Sequence, residues 1–193
     1  MVPLNRKFIL MCGVTHSGKS YTVEKIREVM PDYYFQVIDT RTIHDFLNCR
    51  LGFIFRDNNT VDGPRYQIRN LVTKAIQAPL LLHYLIWHRR IIFDASNITR
   101  KKRQLILGLV NKFPLKTSTI IIYQNPTPNE LKFRVKLADQ RNIQNGEEPA
   151  WEQLQHDQLK NFQPPTKPEA SHIIEFDGQD FPGLFTKLKI AVR

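Results

Sequence analysis

Gly13-Val14-Thr15-His16-Ser17-Gly18-Lys19-Ser20 follows the apolar run Lys7-Phe8-Ile9-Leu10-Met11-Cys12 and opens the helical pattern Lys19–Met30. The string fits G-x-x-x-x-G-K-[ST] in full. Two glycines permit a tight turn in which successive backbone N–H groups point at phosphate oxygens, and the following helix presents its positive N-terminus to the same anion. A lysine at position 19 reaches the β- and γ-phosphates, and a serine at position 20 offers its hydroxyl to Mg2+. Strand before and helix after is the context that separates this loop from a chance Gly-rich turn. Gly13, Thr15, His16, Ser17, Gly18, Lys19, Ser20 and Thr22 are therefore expected around the phosphates of ATP, or another NTP, with Mg2+. Side chains inside such a loop mostly point away from the anion, so a surface role is favoured for His16 over a catalytic one.

The rest of the chain repeats the same alternation. Apolar, β-branched runs at Lys7–Val14, Tyr33–Asp39, Arg90–Asp94, Thr117–Tyr123 and His172–Phe176 are short and nearly continuous, as in strands covered on both faces. Between them lie helical patterns at Lys19–Met30, from Pro64 to about His88 with Pro79 kinking or dividing it, at Thr99–Phe113 and at Pro128–Asn142. Strands alternating with helices imply an α/β fold, with a mainly parallel five-stranded sheet built from right-handed crossovers and the phosphate-loop strand at its centre. Neither Asn142–Glu148 nor the proline-rich Gln163–Pro168 is long enough for a domain linker, so residues 1–193 are read as one domain.

Composition narrows the function classes. Hydrophobic residues at 41% and charged residues at 24% exclude a wholly disordered chain. No apolar run approaches the roughly 20 residues that cross a bilayer, and the short run after Arg6-Lys7 lacks a cleavage pattern and leads straight into the loop. Neither a membrane partner nor a signal peptide is expected. Two cysteines, Cys12 and Cys49, suit reduced thiols better than a disulfide framework. With 28 Lys plus Arg against 18 Asp plus Glu, the net charge is +10, which attracts polyanions such as nucleic acid. Arg89–Lys116 carries eight basic residues and the single acid Asp94, and Arg50, Arg56 and Arg65 lie near Phe53, Phe55 and Tyr66. Phosphate contact or base stacking is weighed for these stretches against a solvated helix face and a packed loop. His83, Tyr84, Trp87 and His88 read as core or interface packing.

Arg89-Arg90-Ile91-Ile92-Phe93-Asp94 has the form of an apolar strand ending in an acid that holds Mg2+ beside the phosphate loop. The continuation Asp94-Ala95-Ser96-Asn97-Ile98-Thr99-Arg100-Lys101-Lys102-Arg103 resembles the D-x-[ST]-N-x-x-x-x-x-R element of the polynucleotide-kinase-like P-loop kinases, with Asp94, Ser96, Asn97 and Arg103 on the motif. The resemblance implies a three-layer P-loop kinase fold with a small helical lid. It also implies that the strand acid and following polar residues line the phosphate and acceptor site. Physically, Ser96 or Asn97 equally suits the N-cap of the helix near Thr99.

The lid is expected around 126–148. Asn125-Pro126-Thr127-Pro128-Asn129-Glu130 resembles the family's turn into an Arg-rich helix, and Pro149 and Pro165-Thr166-Lys167-Pro168-Glu169 resemble its closing segment. Arg134 or Arg141 is the candidate to neutralise charge on the transferring phosphoryl group, against a solvated basic helix face. In the family an Asp after the second strand is the general base with an Arg nearby. Asp39 and Arg41 match in kind but not in spacing, and Asp45 is the alternative. No His/Cys cluster has metal-ligand spacing, so Mg2+ is the sole metal inferred. The implied activity is ATP-dependent transfer of the γ-phosphoryl group to a hydroxyl, foremost the 5′-OH of DNA or RNA. A small-molecule, nucleoside or nucleotide kinase, or a nucleic-acid-binding NTPase with little transfer, are the alternatives. A cytoplasmic setting (a host cell's if the chain is phage-encoded) goes with this reading, and an oligomer is left open.

Overall fold

The computed structural model describes residues 6–50, 64–146, 149 and 151–192. Strand β1 (Arg6–Cys12) leads through the loop into α1 (Lys19–Val29), followed by β2 (Gln36–Asp39), α2 (Thr40–Arg50), α3 (Pro64–Trp87), β3 (Arg90–Asp94) and α4 (Arg100–Lys112). Then come β4 (Thr117–Gln124), α5 (Pro128–Gln144), α6 (Trp151–Lys160), β5 (His172–Phe176) and α7 (Phe181–Val192). Among the described residues the strands form one sheet ordered β2-β3-β1-β4-β5, with every neighbouring pair parallel. The expected α/β architecture with a central β1 is thus the observed one.

Alternation along β1 makes the three layers. Phe8, Leu10 and Cys12 point to a core shared with Ile43 and Leu47 of α2, Leu81 and Leu85 of α3, and Leu107 and Val110 of α4. Ile9 and Met11 point to the other, shared with Val23 and Ile26 of α1 and Leu184 and Leu188 of α7. All seven β1 residues are buried, which is why its sequence reads as unbroken hydrophobicity with two basic residues at its start. Those two residues cap helices. The Arg6 guanidinium donates to the carbonyls of Leu85, Ile86 and His88 at the end of α3, and Lys7 Nζ donates to Ala191 O at the end of α7, 2.9 Å away. Cations there satisfy orphan carbonyls and face the negative helix terminus.

Several boundaries differ from the sequence reading. Pro31–Tyr33 forms a 3-10 turn, so β2 begins at Gln36 rather than Tyr33. Pro79 lies inside a continuous α3 and does not divide it. Helices α2, α6 and α7 were not anticipated. At the end of α3 Tyr84 packs against the core, while Trp87 is 71% exposed with its ring tilted against His83, so core packing does not extend to Trp87. Phe53, Phe55 and Arg56 lie outside the described residues.

This topology brings the carboxyl ends of β1, β2 and β3 together. Register pairs Asp39 with Asp94 on adjacent strands. Both carboxylates, the loop after β1 and the start of α1 meet at one edge, where α/β sheets bind ligands.

Candidate active site

The loop adopts the turn its glycines permit. Gly13 and Gly18 have φ of 150° and 100°, and a Cβ on Gly13 would come within 2.7 Å of Ser17 Oγ and 3.0 Å of the Gln124 backbone oxygen. A Cβ on Gly18 would meet the Arg134 guanidinium at 3.0 Å. Only glycine combines that backbone with those approaches. His16 also has positive φ, 57°, and carries its imidazole out of the cradle to an edge-on contact with Trp151, 4.8 Å between ring centroids.

Lys19 is folded back across the loop. Its ammonium donates to Val14 O at 2.6 Å and to Ser17 Oγ at 3.3 Å. Burial pushes its pKa down to about 8, against the opposing pull of Asp94. Ser17 is fully buried, and Arg134 Nη1 donates to its carbonyl oxygen at 2.9 Å. Beside Arg134 a cavity of 290 Å³ opens between Gly18, Tyr21 and Thr22 on one side and Gln124 and Gly178 on the other. Thr22 accepts a hydrogen bond from Gln124 Nε2 at 2.6 Å, so it packs beneath the loop.

At the other flank Ser20 Oγ donates to Asp94 Oδ2 at 2.7 Å. Asp94 is 4% exposed; burial raises its pKa, Ser20 and Lys19 pull it down, and Asp39 pushes it up. An acid held this way, next to a hydroxyl and a second carboxylate, suits a hard divalent cation. Among the described residues no group of three or more His, Cys, Asp or Glu stands ready for a metal. The Ser20 hydroxyl and the Asp94 carboxylate are hard oxygen donors of the kind Mg2+ takes, one or two from protein with water and phosphate completing its shell.

Asp39 has a structural task of its own. Its carboxylate accepts from the Arg41 amide at 2.9 Å, the Thr42 amide at 3.2 Å and the Thr42 hydroxyl at 2.8 Å, capping α2. Arg41 is exposed in the first turn of that helix, and its charge reaches His16. Thr40 links the strands by donating to Asp94 O, and it accepts from Gln77 of α3.

Asn97 and Arg103 of the Ser96–Arg103 element turn inward. Asn97, with φ of 36°, donates to Met11 O at 2.8 Å, and the Ser96 carbonyl accepts from the Gly13 amide. Arg103 has no exposed surface. It forms a two-pronged ion pair with Glu169 at 2.7 and 3.0 Å and donates to the carbonyls of Asn97, Ile98 and Gln163. It ties together the segments behind the loop, which corrects its expected placement at an acceptor. The α4 cap is Thr99, which accepts from the Lys102 amide, and neither Ser96 nor Asn97. Arg90 is likewise engaged, with Tyr33, so the basic stretch is not one uniform solvated face.

Helix α5 starts from a capping box, Thr127 with Glu130, and sends Arg134 to the loop; Arg141 is exposed in its last turn. Sequence reasoning missed the partner helix. Asp139 of α5 accepts from the Trp151 and Glu152 amides and caps α6. From α6, Gln158 Oε1 accepts the Thr15 amide at 2.6 Å, and Gln155 lies buried on the same face. The signal was the spacing of Trp151, Gln155 and Gln158, a helical stripe whose two glutamines interrupt the hydrophobic period.

No protein-family model matches the chain, and no curated protein sequence matches it. Solved structures do. The chain is similar to Chaetomium thermophilum Kti12 in complex with ADP-AlF3, at 13% identity and a TM-score of 0.61 over 96% of this chain and 99% of that one. It is similar to a fungal RNA kinase at 12% identity and a TM-score of 0.53, over 97% of this chain and 82% of that one. It is similar to the Mycobacterium tuberculosis APS kinase CysC in complex with AMPPNP and APS at 11% identity and a TM-score of 0.53, over 96% of this chain and 98% of that one. What is shared at these identities is the fold, that of P-loop kinases. Among the described residues no helix is long and apolar enough to cross a membrane.

Proposed function

We propose that this chain is a P-loop phosphotransferase that moves the γ-phosphoryl group of ATP to a hydroxyl, with the 5′-OH end of a nucleic acid as the leading acceptor. The observation that carries the reading is the Ser20–Asp94 hydrogen bond beside a buried Lys19 at the mouth of the loop. Loop amides and Lys19 bind the phosphates and hold negative charge that grows on the transferring group. Ser20 and Asp94 would hold Mg2+, which supplies charge neutralisation across the phosphates when bound. Asp39 is our candidate proton acceptor for the attacking hydroxyl, supported by its position one strand away from Asp94. Arg134 reaches the loop from α5 and is assigned the phosphoryl-facing arginine; Arg141 sits about 10 Å farther along the helix axis. The lid in this reading comprises α5 and α6.

The net charge of +10 and the exposed Arg100 and Lys101 at the start of α4 favour a polyanionic acceptor over a neutral metabolite. The test is transfer from γ-labelled ATP to a 5′-OH oligonucleotide, set against nucleosides and water. Label on the oligonucleotide end is the expected result. Label on nucleosides alone would replace the acceptor with a small molecule. Free phosphate stimulated by nucleic acid would make the chain an NTPase.

A further inference from the structure

The peptide unit joining Val14 to Thr15 is held from both sides. Its carbonyl accepts the Lys19 ammonium at 2.6 Å from inside the loop. Its N–H, which points the opposite way because the peptide is trans, donates to Gln158 Oε1 at 2.6 Å from outside. The donor is a backbone amide, so the contacting side-chain atom must be the carboxamide oxygen. A peptide that donates on one side is a better acceptor on the other, because hydrogen bonds in series polarise one another.

Gln158 does not act alone. Asp139 caps α6 from α5, and α5 sends Arg134 to Ser17 O, so the two helices grip the loop at the Thr15 amide and at the Ser17 carbonyl. Trp151 against His16 covers the tip between these points. The Gln158 contact is the one that touches the peptide on which Lys19 rests.

We propose that Gln158 is a positioning residue for Lys19. By fixing the Val14–Thr15 peptide it aims the carbonyl that holds the ammonium, and it makes correct placement of Lys19 depend on α6 being seated on the loop. The proposal rests on the phosphotransfer reading for its kinetic consequence but not for its structural one. The remaining loop amides lie outside this contact and keep their hold on the phosphates, so a misplaced Lys19 tells mainly on the charge that grows during transfer.

Two variants of nearly the same size separate the hydrogen bond from packing. Gln158→Met keeps the shape and removes the acceptor; Gln158→Glu keeps an acceptor oxygen. Hydrogen exchange at the Thr15 amide in the full chain without nucleotide should accelerate about tenfold or more in Q158M and stay near the original rate in Q158E. In transfer assays Q158M should lose about tenfold in kcat, with KM for ATP changed less than about twofold, and Q158E should recover most of that loss. Unchanged exchange in Q158M, or a loss of kcat equal in both variants, overturns the proposal. So does an effect confined to KM. Should the unmodified chain pass the γ-phosphoryl group of ATP to no acceptor, the phosphotransfer reading fails by itself, and exchange at Thr15 still decides the role of Gln158.

Discussion

Ser20 Oγ and Asp94 Oδ2 stand 2.7 Å apart although they are far apart in sequence, one opening α1 and the other closing β3. Parallel pairing of β1 with β3 brings them together. Here the hydroxyl donates to the carboxylate; in the proposed reading the same two residues would hold Mg2+. Asp94→Asn keeps the shape and removes the charge. It should weaken Mg2+ affinity by about 10–100-fold, read as the Mg2+ concentration giving half-maximal transfer. An unchanged Mg2+ requirement would remove Asp94 from the metal site.

Asp39 caps α2 and is the candidate proton acceptor, and one pair of variants tells these tasks apart. Asparagine caps a helix about as well as aspartate, so Asp39→Asn should cost less than about 0.5 kcal/mol in denaturant unfolding, whereas Asp39→Ala should cost about 1 kcal/mol. If the carboxylate takes the acceptor's proton, both variants should lose about 10²–10⁴-fold in transfer while ATP binding persists. Normal transfer by D39N would leave Asp39 with the cap alone.

For the arginines, position along α5 makes the prediction. Arg134 donates to Ser17 O beside Gly18, while Arg141 is exposed two turns on. Arg134→Ala should lower kcat by about 10³-fold, the effect of an arginine that stabilises the transferring phosphoryl group, and Arg141→Ala should change it little. Reversed effects would mean that the lid repositions α5 by more than its contacts here imply.

The fold was legible because its signals are local. A strand, a Gly-rich turn and an amphipathic helix each leave a pattern in a few residues, and β-branched runs flanked by helices fix the sheet class. The placement of Asp94 and Asp39 side by side was legible because both close strands of one parallel sheet. It was misread where a polar side chain serves the interior. Arg103 looks like a substrate contact in sequence, and only the packing of Glu169, distant in the chain, reveals it as an internal brace. Gln158 was invisible for a related reason: what matters is one carboxamide against one backbone amide, and no composition or period marks that contact.

The two cysteines should respond differently to thiol reagents. Cys12 has no exposed surface, and burial pushes its pKa to about 11, even with Arg103 and Lys19 nearby; Cys49 is exposed. Near pH 8 the thiolate is the reacting form, so the native chain should take up one label, at Cys49, and a second only after unfolding. Mass measurement of the adducts checks this, and rapid native labelling at Cys12 would mean that the strand behind the loop opens.

The Arg103–Glu169 pair predicts how stability varies with pH. Burial alone would push Glu169 up, but the Arg103 guanidinium and the Thr166 amide and hydroxyl outweigh it and hold the carboxyl below its usual value. A carboxylate depressed in the folded state contributes stability that is complete above the unfolded pKa, about 4.3, and is lost as pH falls through the lower folded value. Removing one partner leaves the other charge buried and unpaired, so Glu169→Ala should cost about 3–5 kcal/mol near neutral pH. Replacing Glu169 with Gln preserves most of the shape while abolishing the titration, so the acid-side loss of stability should flatten in E169Q. Urea midpoints measured from neutral pH down through that window test both statements. An acid profile identical in the original chain and E169Q would show that Glu169 is not depressed by its partner, and that the brace behind the phosphate loop draws its strength from the carbonyls around Arg103 instead.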